Sequence, residues 1–228
     1  MDRTEFLAAR RTGIGGSDIG AILGLNHYRT PYDVFLDKTV PERPDTTGEA
    51  AYWGTTLEAV VAREYQRRTG RKVQRVNHLL RHPEHDFAIA NIDRAIINPD
   101  ISGTVRWKDG RLTTDSLLEC KTANSFTAAD WGDAGTDSVP DSYLCQCQWY
   151  LGVTGCQTAE LAVLIGGQDY RIYTIARDPE LFADMLEIAG KFWRNCQRGI
   201  PPAPSSTDEA LKHWPRHVAG KSVIVDVS

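Results

Sequence analysis

Glu119 and Lys121 stand one residue apart near the end of the run Ser116-Leu117-Leu118-Glu119-Cys120-Lys121-Thr122. Side chains of a strand alternate between its two faces, so this spacing would hold a carboxylate and an ammonium side by side. The Cys120 carbonyl between them points sideways and can add a third oxygen for a hard cation, while the ammonium can orient a water nucleophile or stabilise developing negative charge. A lone Glu-x-Lys is common, and its ordinary reading is an ion pair on a solvated face. A second acid shifts that balance.

Phe87-Ala88-Ile89-Ala90-Asn91-Ile92-Asp93 reads as an apolar strand that ends in an aspartate, in a stretch too hydrophobic to expose a charge casually. Two carboxylates from neighbouring strand ends plus one carbonyl make an incomplete, oxygen-rich shell. Such a shell suits Mg²⁺ or Mn²⁺, which keep waters and complete their coordination with a substrate phosphate. The rival Asp100 follows Pro99 directly, but Asn98-Pro99-Asp100 reads more naturally as a turn, which favours Asp93. Glu58 is the third candidate. On a helix it lies beside the stripe of Gly54, Val61 and Tyr65, placed to reach the same end of a sheet and to form a cluster with Asp93 and Glu119 in which Lys121 offsets the repulsion.

Near the N-terminus, Arg10 and Arg11 precede Gly13, Gly15, Gly16 and Ser17, which lead into a helix pattern. Glycines let backbone amides approach an anion, serine donates, and arginine pairs with phosphate in a fork. Ser17 would serve equally as the N-cap of a helix after a flexible loop. Arg63, Arg67, Arg68, Arg71, Lys72 and Arg75 make a basic face, usually just solvated but able to touch a DNA backbone. His78, His82 and His85 have zinc-like spacing, yet Pro83 breaks any helix that would align them, so a surface loop is expected. Cys145 and Cys147 on a helix cannot aim both sulfurs one way, which argues against an iron–sulfur cluster.

These residues must be positioned by an alternation of helices and strands. Helix patterns run from Ser17 to Leu23, from Tyr32 to Lys38 after Pro31, and from Glu49 until Gly70 stops the run. Period-two, β-branched segments follow at 73–80, 87–92, 101–107 and 112–120, the last two flanking the hairpin signal Lys108-Asp109-Gly110. A helix is expected over 141–151, then strands at 159–165 and 170–175, then a long amphipathic helix opened by Asp178-Pro179. Linker-like segments lie at 40–48 and 199–207. The sum is an α/β or α+β architecture with a mixed sheet between helices.

The 228 residues, 41% of them hydrophobic, are enough for one large domain with a proper core. No apolar run approaches the roughly 18 residues that cross a bilayer. Five cysteines without a Cys-x-x-Cys pair fit reduced thiols, and acids near the N-terminus do not fit a secretory signal, so a cytoplasmic protein without membrane contact is expected. A formal net charge of −4 excludes a surface uniformly coated for nucleic acid. The first 80 residues nonetheless carry 12 Lys/Arg against 10 Asp/Glu, leaving the acidic excess to the remainder.

Tyr52-Trp53-Gly54-Thr55-Thr56-Leu57-Glu58, Ala90-Asn91-Ile92-Asp93, Leu118-Glu119-Cys120-Lys121-Thr122 and Tyr143 to Gly155, with Arg11 to Ile19 ahead of them, together resemble the lambda-exonuclease or YqaJ-type viral recombinase family of PD-(D/E)XK nucleases. The resemblance runs from about residue 10 to 195. It implies a single nuclease domain over 1–228, with a helical segment at 1–48 bearing a 5′-phosphate site, a restriction-endonuclease-like core at 49–198, and an extension at 199–228. It implies a two-metal phosphodiesterase that digests one strand of duplex DNA from its 5′ end, leaving 3′ overhangs for strand annealing. Asp93 and Glu119 would bind metal, Glu58 would join through a second ion, and Lys121 would position the attacking water. Gln146 or Gln148 would steady the lysine, the water or a phosphate, and Arg11 and Ser17, with Arg10 beside them, would hold the 5′-phosphate. A ring-shaped homotrimer and a single-strand-annealing partner protein also follow from the resemblance. Ile92 and Arg94 replace the small residues usual around the first aspartate, and the stretch from Asp93 to Glu119 is long. An endonuclease of the same superfamily, or a catalytically silent module that binds DNA ends, are the alternatives.

Overall fold

The computed structural model describes residues 3–40, 48–214, 220 and 222, so most of the expected linker at 40–48 and much of the end of the C-terminal extension lie outside the described residues. The chain opens with helix α1 (Arg3–Arg10), which the sequence pattern did not announce, then α2 (Gly16–Ile22) and α3 (Pro31–Thr39). Helix α3 begins as Pro31 predicts, with Thr30 and Asp33 forming a reciprocal capping box. Helix α4 (Glu49–Thr69) stops where Gly70 takes a left-handed φ of 70°. Ser17 is not the N-cap of α2. Gly15 holds that position, and its N–H donates to the Asp18 carboxylate at 2.9 Å.

A mixed sheet of five strands follows, in the order β1 (Val73–Arg75), β4 (Arg94–Ile96), β7 (Ser116–Ala123), β8 (Thr158–Ile165), β9 (Asp169–Ala176). Only β7 and β8 run parallel, and α5 (Asp141–Thr154) makes the crossover between them. Helix α6 (Pro179–Gln197), capped by Asp178, and the short α7 (Thr207–His213) close the chain. The expected α/β architecture with a mixed sheet between helices is observed. None of the described helices is long and apolar enough to cross a membrane.

Two expected strands are largely absent, for identifiable reasons. The segment 87–92 contributes only β3 (Ile89–Ala90), paired with β2 (Leu80–Arg81) in a separate ribbon. Its polar backbone is claimed elsewhere: Ile14 donates to Phe87 O, Ile89 donates to Ile14 O, and Trp149 Nε1 donates to Ile89 O at 3.0 Å. A Cβ at Gly13 would lie 2.3 Å from Phe87 O, so only glycine permits that approach. Asp93 therefore precedes strand β4 instead of ending a long strand. In the segment 101–107 only β5 (Trp107–Lys108) forms, in a hairpin with β6 (Arg111–Leu112) around Asp109-Gly110. Upstream of it the Gln74 side chain takes the place of a strand, donating to Val105 O at 2.6 Å and accepting from Val105 N at 3.0 Å.

The sheet divides the core. One face packs on α4 through Val61, Ala62, Tyr65, Ile96, Leu118, Cys120 and Ala162. The other, larger cluster is built around α5, whose residues from Cys145 to Thr154 are all buried. Helix α5 thus lacks the polar face of a surface helix, and any polar side chain on it must find partners inside the protein.

Candidate active site

Alternation along β7 sends Leu118 and Cys120 into the cluster under α4, and Glu119 and Lys121 toward α5. Lys121 Nζ lies 2.7 Å from Glu119 Oε1, donates to Gln146 Oε1 at 3.0 Å and sits 4.9 Å from the centre of the Tyr143 ring. Gln146 Nε2 donates to Glu119 Oε1 at 2.6 Å. The carboxamide thus turns its oxygen to the ammonium and its nitrogen to the carboxylate, the orientation that satisfies both neighbours. Glu119 is 3% exposed, and its second oxygen, Oε2, is buried without a hydrogen-bond partner.

Asp93, in the link between β3 and β4, accepts the Cys120 N–H on Oδ2 at 2.8 Å. Burial, reinforced by the Glu119 charge, raises the Asp93 carboxyl well above the ordinary carboxylate range. Burial raises Glu119 as well, against the pull of Lys121. For Lys121 burial disfavours the ammonium, but Glu119 and Asp93 outweigh it and raise the proton affinity. Two acids share one lysine, and the site is short of positive charge. A divalent cation would relieve that shortage and occupy the orphaned oxygen, so the residues fit such an ion in charge and donor type. Burial and the two carboxylates push the Cys120 thiol up, which leaves its carbonyl as the ligand it could offer.

The acids are not drawn together as a finished cage. Among the described residues no three His, Cys, Asp or Glu side chains are gathered closely enough to hold an ion. Glu58 explains part of this: α4 lies on the opposite face of the sheet from α5, and Glu58 Oε1 is engaged by Arg94 Nη1 at 2.5 Å. The same guanidinium nitrogen donates to Asp93 O at 2.6 Å. Arg94, 8% exposed, thus holds the expected third acid, while the Glu58 charge still reaches Asp93 and Glu119 and helps to raise both carboxyls.

A second feature adjoins this cluster. A pocket of about 70 Å³ has Arg10, Ser17, Asn91 and Tyr150 among its lining residues, and Arg10 Nη2 donates to Ser17 Oγ at 2.7 Å. Beneath it Asp18, fully buried, is held by Lys38 and Arg29, each at 2.7 Å, and by Arg10 at 3.6 Å. Burial alone would raise the Asp18 carboxyl, but the three cations overcome it and hold it far below the usual range.

A family model described as the YqaJ-like viral recombinase domain matches residues 5–157. The chain belongs to the YqaJ-like viral recombinase family. It is 41% identical over 220 residues to protein YqaJ of Bacillus subtilis (strain 168), covering 93% of this chain and 63% of that protein's length. The fold is similar to that of an alkaline exonuclease (LHK-Exo) from Laribacter hongkongensis, with a TM-score of 0.66 and 20% identity over 92% of this chain and 96% of that one. That enzyme is also known in complex with dAMP. A phage-related exonuclease from Haemophilus somnus 129PT is similar in fold too, with a TM-score of 0.56 and 10% identity over 86% of this chain and 99% of that one.

Within this YqaJ-like domain several expected residues fall elsewhere. Of the two glutamines only Gln146 reaches the cluster. Gln148 faces away, donating to Ala176 O at 2.7 Å and accepting from Asp178 N at 2.9 Å, because two positions along a helix turn the side chain through about 200°. Arg10, in the last turn of α1, lines the pocket with Ser17, whereas Arg11 lies just past the helix and is not among the lining residues. The basic face is partly neutralised: Arg67 and Arg68 pair with Glu64, and Arg71 pairs with Glu160. The His82 and His85 rings pack against each other at 4.9 Å, and the five cysteines are free and buried. Sequence reasoning had no role for Tyr143 or Tyr150. Tyr150 sits one helical turn from Gln146, a spacing that places the two on one face.

Proposed function

We propose that this domain is a Mg²⁺- or Mn²⁺-dependent deoxyribonuclease that digests one strand of duplex DNA from its 5′ end, leaving 3′ overhangs for recombination by strand annealing. The observation that carries the reading is the buried set of Asp93, Glu119, Lys121 and Gln146, with one carboxylate oxygen left without a partner. Divalent ions held by Asp93, Glu119 and the Cys120 carbonyl, with Glu58 serving a second ion, would polarise the scissile phosphate and acidify a bound water.

In this reading Lys121 orients the attacking water and meets the negative charge that develops on the phosphate. Gln146 keeps the lysine and Glu119 in register by bonding to each. Asp93 and Glu119 must be ionised to serve, and the burial that raises their proton affinity makes that state depend on the cation. Arg10 and Ser17 hold the 5′-phosphate of the strand being digested, with Arg11 flanking them. The dAMP complex of the Laribacter enzyme supports a nucleotide monophosphate as product. A ring of three subunits around DNA, and an annealing protein that receives the overhang, complete the proposal. A ring would concentrate basic residues inward on a chain of net charge −4.

Linear duplex carrying a label at one end of one strand tests this directly. With Mg²⁺ a 3′-labelled strand should shorten progressively while a 5′ label is released at the first cut, EDTA should abolish both, and covalently closed plasmid should resist. Equal digestion of closed plasmid would indicate an endonuclease instead, and binding of ends without cleavage would indicate a silent module.

A further inference from the structure

In the pocket beside the active site the polar side chains all carry hydrogen-bond donors, no carboxylate is among the lining residues, and Leu79 and Ile89 supply an apolar wall. Arg10 contributes a guanidinium and Asn91 an amide, while Ser17 Oγ already accepts from Arg10 and so keeps its own proton for a ligand. Tyr150 is in the same position. Its hydroxyl accepts from Gln146 Nε2 at 3.1 Å, leaving its proton for an acceptor in the pocket. Burial and the Glu119 charge raise the Tyr150 pKa, so the phenol stays a donor at any working pH. Asp18, 3.6 Å from the Arg10 guanidinium, is occupied by Lys38 and Arg29, each at 2.7 Å. Four donor groups around a small space suit a tetrahedral oxyanion.

The Tyr150 ring is held in place by an unusual contact. A Cβ at Gly16 would stand 2.5 Å from Tyr150 Cε1, so the aromatic edge lies flat against the backbone at the head of α2 where only glycine leaves room. From there a continuous chain of hydrogen bonds runs from Tyr150 to Gln146 Nε2 at 3.1 Å, and on to Glu119 Oε1 at 2.6 Å and Lys121 Nζ at 3.0 Å. The pocket and the acid–lysine pair therefore share one carboxamide.

We propose that Tyr150 is a specificity-determining and positioning residue: it donates to the terminal phosphate monoester of a DNA strand in this pocket and, through Gln146, couples that contact to Glu119 and Lys121. The proposal rests on the nuclease reading above for the ligand's identity. A strand-terminal phosphate and a free phosphate share the same chemistry, and the test separates them.

Binding of two duplexes of one sequence, with 5′-phosphoryl or 5′-hydroxyl ends, is read by fluorescence anisotropy with Ca²⁺ in place of Mg²⁺, with and without inorganic phosphate as competitor. Cleavage of the same pair is read with Mg²⁺. The wild type should favour the phosphoryl end, and Tyr150→Phe should lower the ratio of the two affinities, and of the two kcat/KM values, by about tenfold or more. Gly16→Ala, which displaces the ring, should lower the same ratios. Inorganic phosphate should compete only weakly if the strand end is the ligand, and competition as strong as that of a strand end would overturn the terminal-phosphate assignment. A wild-type ratio near one, or a Tyr150→Phe ratio equal to wild type with an unchanged Tm, would overturn the proposal. Discrimination in binding that depends on Tyr150 but is accompanied by no cleavage would support Tyr150 and remove the nuclease.

Discussion

Two buried carboxylate clusters lie within one domain and behave in opposite ways. Around Asp18 three cations face two acids, since Arg29 bridges Asp18 and Asp37, and the Asp18 carboxyl is held far below the ordinary range. Around Lys121 one cation serves two acids, and burial raises both. The residue types are the same, and the ratio of charges decides the outcome. The cation-rich cluster is satisfied from within and fixes Arg10, α2 and α3 against one another. The acid-rich cluster retains an unpartnered oxygen and needs positive charge from outside. The first therefore holds structure together, and the second is where the proposed divalent ion would sit.

Substitutions that invert the comparison should have the largest effects. Glu119→Gln removes an anionic ligand and should lower DNA cleavage by on the order of 10³ to 10⁴, read on end-labelled duplex, while the protein remains folded. Lys121→Ala should lower it by about 10² to 10³, and near-normal cleavage by that variant would remove the lysine's proposed role. Asp18→Asn should leave Lys38, Arg29 and Arg10 with Asp37 as the acid still paired to Arg29 and reduce stability by about 3 kcal/mol or more in urea denaturation. A loss there below about 1 kcal/mol would mean that the two clusters do not differ as described.

Acid should separate the clusters by sign. Asp18 has a depressed pKa in the folded state, so its stabilisation is present above the unfolded value and is lost as pH falls. Asp93 and Glu119 have raised values, so in metal-free protein they cost stability at neutral pH, and the cost disappears as pH falls. Metal-free Glu119→Gln should accordingly be more stable than wild type at pH 7, with the gap closing toward pH 4, whereas Asp18→Asn should flatten the acid side of the stability profile. Thermal unfolding across pH checks both signs. The smallest effect is expected at Gln148, which ties α5 to β9 and the start of α6. Gln148→Ala should lower stability by about 1–2 kcal/mol and leave cleavage close to wild type.

The sequence made the acid–lysine pair legible because strand alternation is local, and Glu119 and Lys121 need only one register to meet. The same holds for helix α4, which Gly70 ends. Asp93 was identifiable as a charge in an apolar run, but its place before β4 was not, since Ile14, Leu80 and Trp149 redirect the segment from far away in sequence. Glu58 illustrates another limit. Its helix and its facing were readable, whereas its engagement by Arg94 depends on how the sheet sits between α4 and α5. Gln146 and Gln148 could be separated only once the buried helix had neighbours on every side. Arg10 stands in the pocket where Arg11 was expected because α1 was not legible in a pattern of eight residues, too short for a helix to declare itself.

The central claim is that Asp93 and Glu119 form a site for a divalent cation. Calorimetric titration of Mn²⁺ into the metal-free protein at neutral pH tests it most directly. Saturable binding that releases protons, and that Glu119→Gln abolishes, is the predicted result. Binding of equal affinity by wild type and Glu119→Gln, or none by the wild type, would contradict the account.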